Sequence, residues 1–175
     1  MDRNAVISTR SVSTAVPVDA AHLEKAVTLA VDSVANAGGP FGAVIVTRDG
    51  RVVEGNNRVT QDNDPTAHAE VTAIRRACAE LGTFDLSGAV LYSSCEPCPM
   101  CLASALWARV DAVYFAADRH DAAAAGFDDA TFYDFFAATP ETRAAGGVMT
   151  VRHERTRSAV APFDAWRVLE TRIGY

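Results

Sequence analysis

Apolar positions along the chain follow two rhythms. After Asp19, a good helix N-cap, Leu23, Ala26, Val27, Ala30, Val31 and Val34 recur at helical spacing, and Gly38-Gly39-Pro40 ends the run. The period then shortens. Gly42 to Thr47 reads as a largely apolar strand, Asp49-Gly50 as a two-residue hairpin turn, and Arg51 to Gly55 as the return strand. Asp62 to Pro65 reads as a loop. From Thr66 the helical rhythm returns, with Val71, Ile74, Cys78 and Leu81 on one stripe and Gly82 at the stop position. Ala89 to Tyr92 is a buried-looking strand, followed by a Cys/Pro turn and a helix expected from Cys98 to Trp107. Val110 to Ala116 reads as a strand, Thr131 to Ala138 as a helix, Val148 to His153 as a strand and Pro162 to Ile173 as a final helix. Strand–helix–strand repetition after a hairpin predicts an α/β fold with one mixed sheet and helices on both faces.

Length and composition narrow this picture. A chain of 175 residues suits one domain. We read 1–16 as a flexible lead-in and 17–175 as that domain. Apolar residues at 49% and charged residues at 22% argue against disorder. The longest uncharged run, 15 residues from Ser33 to Thr47, is broken by glycine and proline and is shorter than the ~20 residues of a spanning helix. The first twenty residues lack the apolar stretch of a secretory signal. Sixteen Lys plus Arg against twenty-two Asp plus Glu leave a net charge of −6. That disfavours a nucleic-acid partner, since such affinity rests mainly on neutralised phosphates. Of four cysteines, Cys95, Cys98 and Cys101 fall within seven residues. A disulfide framework would be spread more widely, so the expected setting is a reducing cytoplasm in which the thiols bind metal or do chemistry.

Two fragments carry the chemistry: His68-Ala69-Glu70 and Pro97-Cys98-Pro99-Met100-Cys101. Alone, a histidine at a helix start is usually a surface or capping residue, and a lone CxxC is ambiguous. Together they meet the requirements of zinc, which takes nitrogen and sulfur ligands tetrahedrally. His68, Cys98 and Cys101 make three ligands, and the fourth position stays open for water. Zinc brings the pKa of such a water near 7. Residues two apart do not share a helix face, so His68 and Glu70 can both approach one metal only over the helix N-terminus. There Glu70 can take a proton without ligating. H-x-E followed by P-C-x-x-C is the pattern of zinc deaminases that act on nucleobases. Cys95 reads either as a fourth ligand, which would close the site, or as a small packing residue like Cys78. A zinc site without catalysis, with Glu70 merely capping, is the plainer alternative.

These residues resemble the cytidine deaminase superfamily, and within it the bacterial guanine deaminase branch. The resemblance runs from about Leu23 to the C-terminus. Gly39-Pro40-Phe41-Gly42-Ala43-Val44-Ile45-Val46, the stretch Asn63 to Arg75 and Ser94 to Cys101 recur loosely across several branches, including tRNA adenosine deaminases. Trp107-Ala108-Arg109 and Gly126-Phe127-Asp128-Asp129 are more particular to the guanine branch. The resemblance implies a cytidine deaminase-like, three-layer α/β/α sandwich around a central mixed five-stranded sheet. It implies zinc held by His68, Cys98 and Cys101, with His68 also bordering the substrate and Glu70 shuttling protons. Asn57 matches the asparagine that hydrogen-bonds the base, although Asn56-Asn57 also reads as a turn. Asp129 matches an acidic residue near the 2-amino group, although Asp128-Asp129 also reads as a helix N-cap. Phe41 matches a ring lining the base pocket. The branch forms homodimers that exchange the C-terminal segment and fold a terminal Tyr over the site. Tyr175 is therefore a lid candidate, and Trp107 a residue that reaches the neighbouring pocket or packs in the core. The chain departs from the pattern before Leu23 and over 139–148.

The implied activity is hydrolytic deamination of a free purine base, guanine to xanthine and ammonia, with Glu70 and Asp129 as catalytic residues. Deamination of another aminated ring (isoguanine, 8-oxoguanine, a triazine, a cytosine analogue or guanosine) is the nearest alternative. Deamination of tRNA adenosine would call for a basic surface, which −6 does not supply. A zinc-stabilised binding domain without catalysis is the alternative of a different class. The expected partners are a small nucleobase and a second copy of the chain, with neither nucleic acid nor membrane.

Overall fold

The computed structural model describes residues 17–175, and the lead-in expected over 1–16 lies outside them. The described residues fall into two compact units, 17–137 and 138–175. The first carries α1 (Ala20–Ala35), β1 (Gly42–Val46), β2 (Val52–Asn56), α2 (Val59–Asp62), α3 (Ala69–Leu81), β3 (Val90–Cys95), α4 (Pro99–Trp107), β4 (Ala112–Ala117), α5 (Arg119–Ala124) and α6 (Ala130–Ala137). The second carries α7 (Pro140–Ala145) and α8 (Ala161–Val168).

The sheet runs β2-β1-β3-β4. β1 pairs antiparallel with both β2 and β3, and β4 joins β3 in parallel. The alternation of side chains along β1 then builds two cores. Ala43 and Ile45 face α3 and α4, joining Ala69, Ala73, Ile74, Ala77, Leu91 and Ala105. Val44 faces α1, joining Ala26, Leu29, Val90 and Tyr92. The sheet thus carries helices on both faces, as the alternation predicts. Ile45 and Leu91 are fully buried, and such a side chain contributes about 1.5–3 kcal/mol on leaving water. Asp19 does cap α1, its carboxylate accepting the Ala21 N–H at 2.9 Å.

One expectation is corrected. Among the described residues the sheet has four strands, not five. Residues 148–153 form no ladder, and Val148, Met149 and Val151 are exposed. A β-rich composition makes a strand only where a neighbour satisfies its backbone, and this stretch pairs with none. Three short helices also stand outside the expected series of elements. α2 ends at Asp62, the first residue of the expected loop, α5 begins at a capping box between Asp118 and Asp121, and α7 begins at the Thr139 cap with Pro140.

Small residues bring α3 close to the sheet. A Cβ on Gly55 would lie 2.6 Å from Ala73 N and nearer still to the Ala69 carbonyl oxygen. Gly55 therefore lets β2 sit directly against the first turns of the helix that carries His68 and Glu70. We expect Gly55→Ala to lower unfolding stability by roughly 1–3 kcal/mol, the usual cost of overpacking, and to weaken zinc binding as α3 is displaced. Urea denaturation and metal titration read the two effects. Unchanged values in both would contradict the packing described.

Candidate active site

Two helix N-termini meet beyond the end of β3. His68 is the N-cap residue of α3, and Glu70 lies in its first turn. Cys98 is the N-cap residue of α4, which begins one residue later than expected because Pro99 suits the first helical position. Cys101 follows one turn on and is fully buried. His68 Nδ1 lies 3.6 Å from Cys98 Sγ and 3.5 Å from Cys101 Sγ, and the two sulfurs are 3.6 Å apart. Tetrahedral zinc with ordinary Zn–S and Zn–N bonds needs edges of about 3.6 Å for N···S and about 3.8 Å for S···S. The triangle fits that ion closely. Among the described residues it is the cluster of His, Cys and acidic side chains close enough to hold a metal. Cys95 is not in it. Its thiol instead points to the Asp118 carbonyl at 3.6 Å, and burial pushes it up to about 11.

The electrostatics suit a cation. The hydrogen bond from Cys101 lowers the Cys98 thiol to about 4, and that bond together with burial raises Cys101 in turn. The Cys98 sulfur also raises His68 above its ordinary value. Glu70 is buried, and desolvation raises its carboxyl. The Ser93 hydroxyl donates to Glu70 Oε1 at 3.3 Å and so orients it.

A cavity of about 520 Å³ opens over this triangle, bordered by His68, Glu70 and Cys98. Asn57, Phe41 and Asp129 line it too. Asn57 is buried, and its Oδ1 accepts the Val59 N–H at 3.3 Å, which leaves the amide nitrogen as the donor toward the cavity. A Cβ on Gly39 would press on the same amide at 3.0 Å, so glycine there gives Asn57 its room. Asp128 lines the cavity as well, accepts the Ala130 N–H at 3.0 Å and is exposed. Asp129 is half-buried, and desolvation followed by the Cys98 charge raises its carboxyl. Trp107 is not among the lining residues. It ends α4, which rises about 13 Å over nine residues, and it is 60% exposed. Tyr175 belongs to the C-terminal unit and is exposed there.

Sequence reasoning missed Phe127, Ser93, Glu96 and Arg119. Phe127 packs edge-on against Phe41 with centroids 5.1 Å apart and completes the apolar wall. It stands beside Asp129 in the stretch particular to the guanine branch, a signal that was legible. Ser93 had none, because only the pleat of β3 aims it at Glu70.

Comparison with known proteins agrees with this geometry. The model of the cytidine and deoxycytidylate deaminase zinc-binding region matches residues 17–117. The chain belongs to that family. It is 51% identical over 146 residues to a guanine deaminase of Bacillus subtilis, which covers 83% of this chain and 91% of the relative. A solved structure of guanine deaminase from Bacillus subtilis superposes with a TM-score of 0.83 at 47% identity, covering 91% of this chain and 99% of the other. A tRNA-specific adenosine deaminase of Agrobacterium fabrum is 49% identical over 79 residues, 45% of this chain and 51% of that one. The protein is a zinc-dependent deaminase of the hydrolase class.

Metal uptake should follow these protonation states. Zinc needs neutral His68 and two thiolates. His68 is raised, so as pH falls through its elevated pKa it must give up a proton before it can ligate, and zinc binds more weakly. Zinc affinity of the metal-free protein, measured by competition with a chelator, should therefore fall as pH is lowered, and fall less steeply in a His68→Ala variant. An equally steep fall in both proteins would contradict the assignment of His68.

Proposed function

We propose that the protein deaminates guanine hydrolytically to xanthine and ammonia. The observation that carries this reading is the placement of Glu70 and Asp129 in the lining of one cavity that borders the metal triad. The cavity also offers what a flat aminated purine needs. Phe41 and Phe127 provide an apolar wall for the ring, Asn57 a buried donor for a ring carbonyl or nitrogen, and Asp129 an acceptor for an exocyclic amine. The similarity to guanine deaminases over most of the chain supports the same substrate.

His68, Cys98 and Cys101 would hold the zinc, which supplies a water acidic enough to attack near neutral pH. Glu70 takes one proton from the attacking water on a carboxylate oxygen. It delivers that proton to the ring nitrogen beside C2 as the water oxygen bonds to C2. It then relays the second water proton to the amine, and Asp129 holds the amine while the C–N bond breaks. Water and guanine thus become xanthine and ammonia with no proton left over. Ser93 keeps Glu70 aimed, and burial keeps competing water away from it.

The wider setting belongs to the same reading. Four free thiols suit a reducing cytoplasm, and among the described residues no helix is long and apolar enough to cross a membrane. The protein works as a homodimer with an exchanged C-terminal segment. Phe163, Val168 and Ile173, each 64–79% exposed in the C-terminal unit, support it as apolar surface that a second copy would cover. Light scattering should return about twice 18.6 kDa.

Ammonia release from guanine, isoguanine, cytosine, adenine and guanosine is the deciding assay. Guanine is expected to react fastest, and an inert wild type would refute the reading. Glu70→Ala should keep stoichiometric zinc and lose turnover by about 10²–10⁴-fold, the scale of general acid–base transfer. Normal turnover in that variant would sink the mechanism.

A further inference from the structure

Arg119 joins parts of the structure that flank the cavity without occupying the metal triad. Its guanidinium forks onto the Glu96 carboxylate, with Nε at 3.0 Å from Oε2 and a second bond from Nη2 to Oε1. Its backbone N–H also reaches Glu96 Oε2 at 3.1 Å. The same guanidinium lies 3.7 Å over the centroid of the Tyr133 ring. Tyr133 in turn donates its hydroxyl to the Pro97 carbonyl at 3.3 Å. Glu96 and Pro97 lead directly into Cys98, while Arg119 begins α5 and Tyr133 lies in α6. One planar cation therefore closes a ring between the metal-ligand turn and both helices that bracket residues 125–129. Those five residues carry Phe127 and Asp129.

The structure assigns to Arg119 the role of positioning residue for Asp129, as a clamp that holds the 125–129 bridge over the metal site by joining Glu96 to Tyr133. The inference rests on the function proposed above for its kinetic consequence. Arginine suits the task, because only a planar fork can pair with a carboxylate and stack on a ring at once. Besides that clamp, the bridge is held by the Phe127 ring packed edge-on against Phe41, by the Phe127 N–H bonded back to Ala122 O at 3.0 Å and by Asp128 accepting the Ala130 N–H, and only the first of these reaches beyond the bridge and its flanking helices. Glu96 is the better buried partner of the pair, and Arg119 holds its carboxyl below the ordinary range.

The test is a kinetic cycle with an independent structural readout. Arg119→Met keeps the apolar stem and removes the fork. Its kcat should fall about 10–100-fold, the scale of a small misplacement of a catalytic group, with KM changed by less than about threefold and zinc stoichiometric. Arg119→Lys keeps the charge and should restore little. Tyr133→Phe removes only the hydroxyl to Pro97 and should move kcat in the same direction by less. In an Asp129→Ala background, Arg119→Met should cost less than about twofold more, because its effect passes through Asp129. An undiminished further loss there, or a kcat for Arg119→Met within about twofold of wild type, would overturn the assignment. Hydrogen–deuterium exchange serves even if guanine is not the substrate. Arg119→Met should speed exchange over 125–130 and leave β1 and β3 unchanged, and equal exchange in both proteins would overturn the clamp. A wild type inert toward guanine refutes the proposed function instead, and the exchange result still decides the clamp.

Discussion

The site depends on holding two sulfurs and a nitrogen within about 3.6 Å of each other in a partly buried place. Placing negative sulfur away from water is costly unless something of opposite sign faces it. Two helix N-termini meet that demand. Cys98 caps one and His68 the other, so both ligands sit where unpaired backbone N–H groups and the helix dipoles favour negative charge. Glu70 profits from the same field in the first turn of α3. The antiparallel–parallel order of the sheet is what brings those two helix starts to one end of β3.

That convergence explains the small residues around it. Ala69, Ala73 and Ala77 on α3 and Gly55 on β2 let helix and strand approach more closely than larger side chains would allow. Glycine and alanine contribute little apolar area here. Their value is the spacing they permit, which carries His68 to the sulfurs and Glu70 to Ser93. On the opposite face, Leu29 and Tyr92 pack α1 in the ordinary way.

The cavity divides the labour between rigid and attached parts. The metal ligands, Glu70 and Asn57 stand on or beside the core elements, whereas Phe127 and Asp129 stand on a bridge between two short helices. Such a bridge is precise only where side chains tie it down. The pairing of Glu96, Arg119 and Tyr133 supplies those ties and links the bridge to the metal-ligand turn itself.

Much of this was legible in the sequence because it is local. Helical periodicity located α1 and α3 and Asp49-Gly50 the hairpin, since each depends on residues a few positions apart, and two local fragments, His68-Ala69-Glu70 and Cys98 to Cys101, together marked the metal chemistry. Asp129 needed the resemblance, and both Asp128 and Asp129 line the cavity, Asp129 the more buried of the two. The fifth strand failed because a strand's existence depends on a partner far away in sequence. Phe127 against Phe41, Ser93 under Glu70 and Arg119 over Tyr133 were out of reach for the same reason. The sequence by itself determined which atoms can bind zinc and move a proton. The tertiary structure decided how many strands support them and which side chains hold the cavity wall in place, because those depend on contacts between segments that local pattern does not encode.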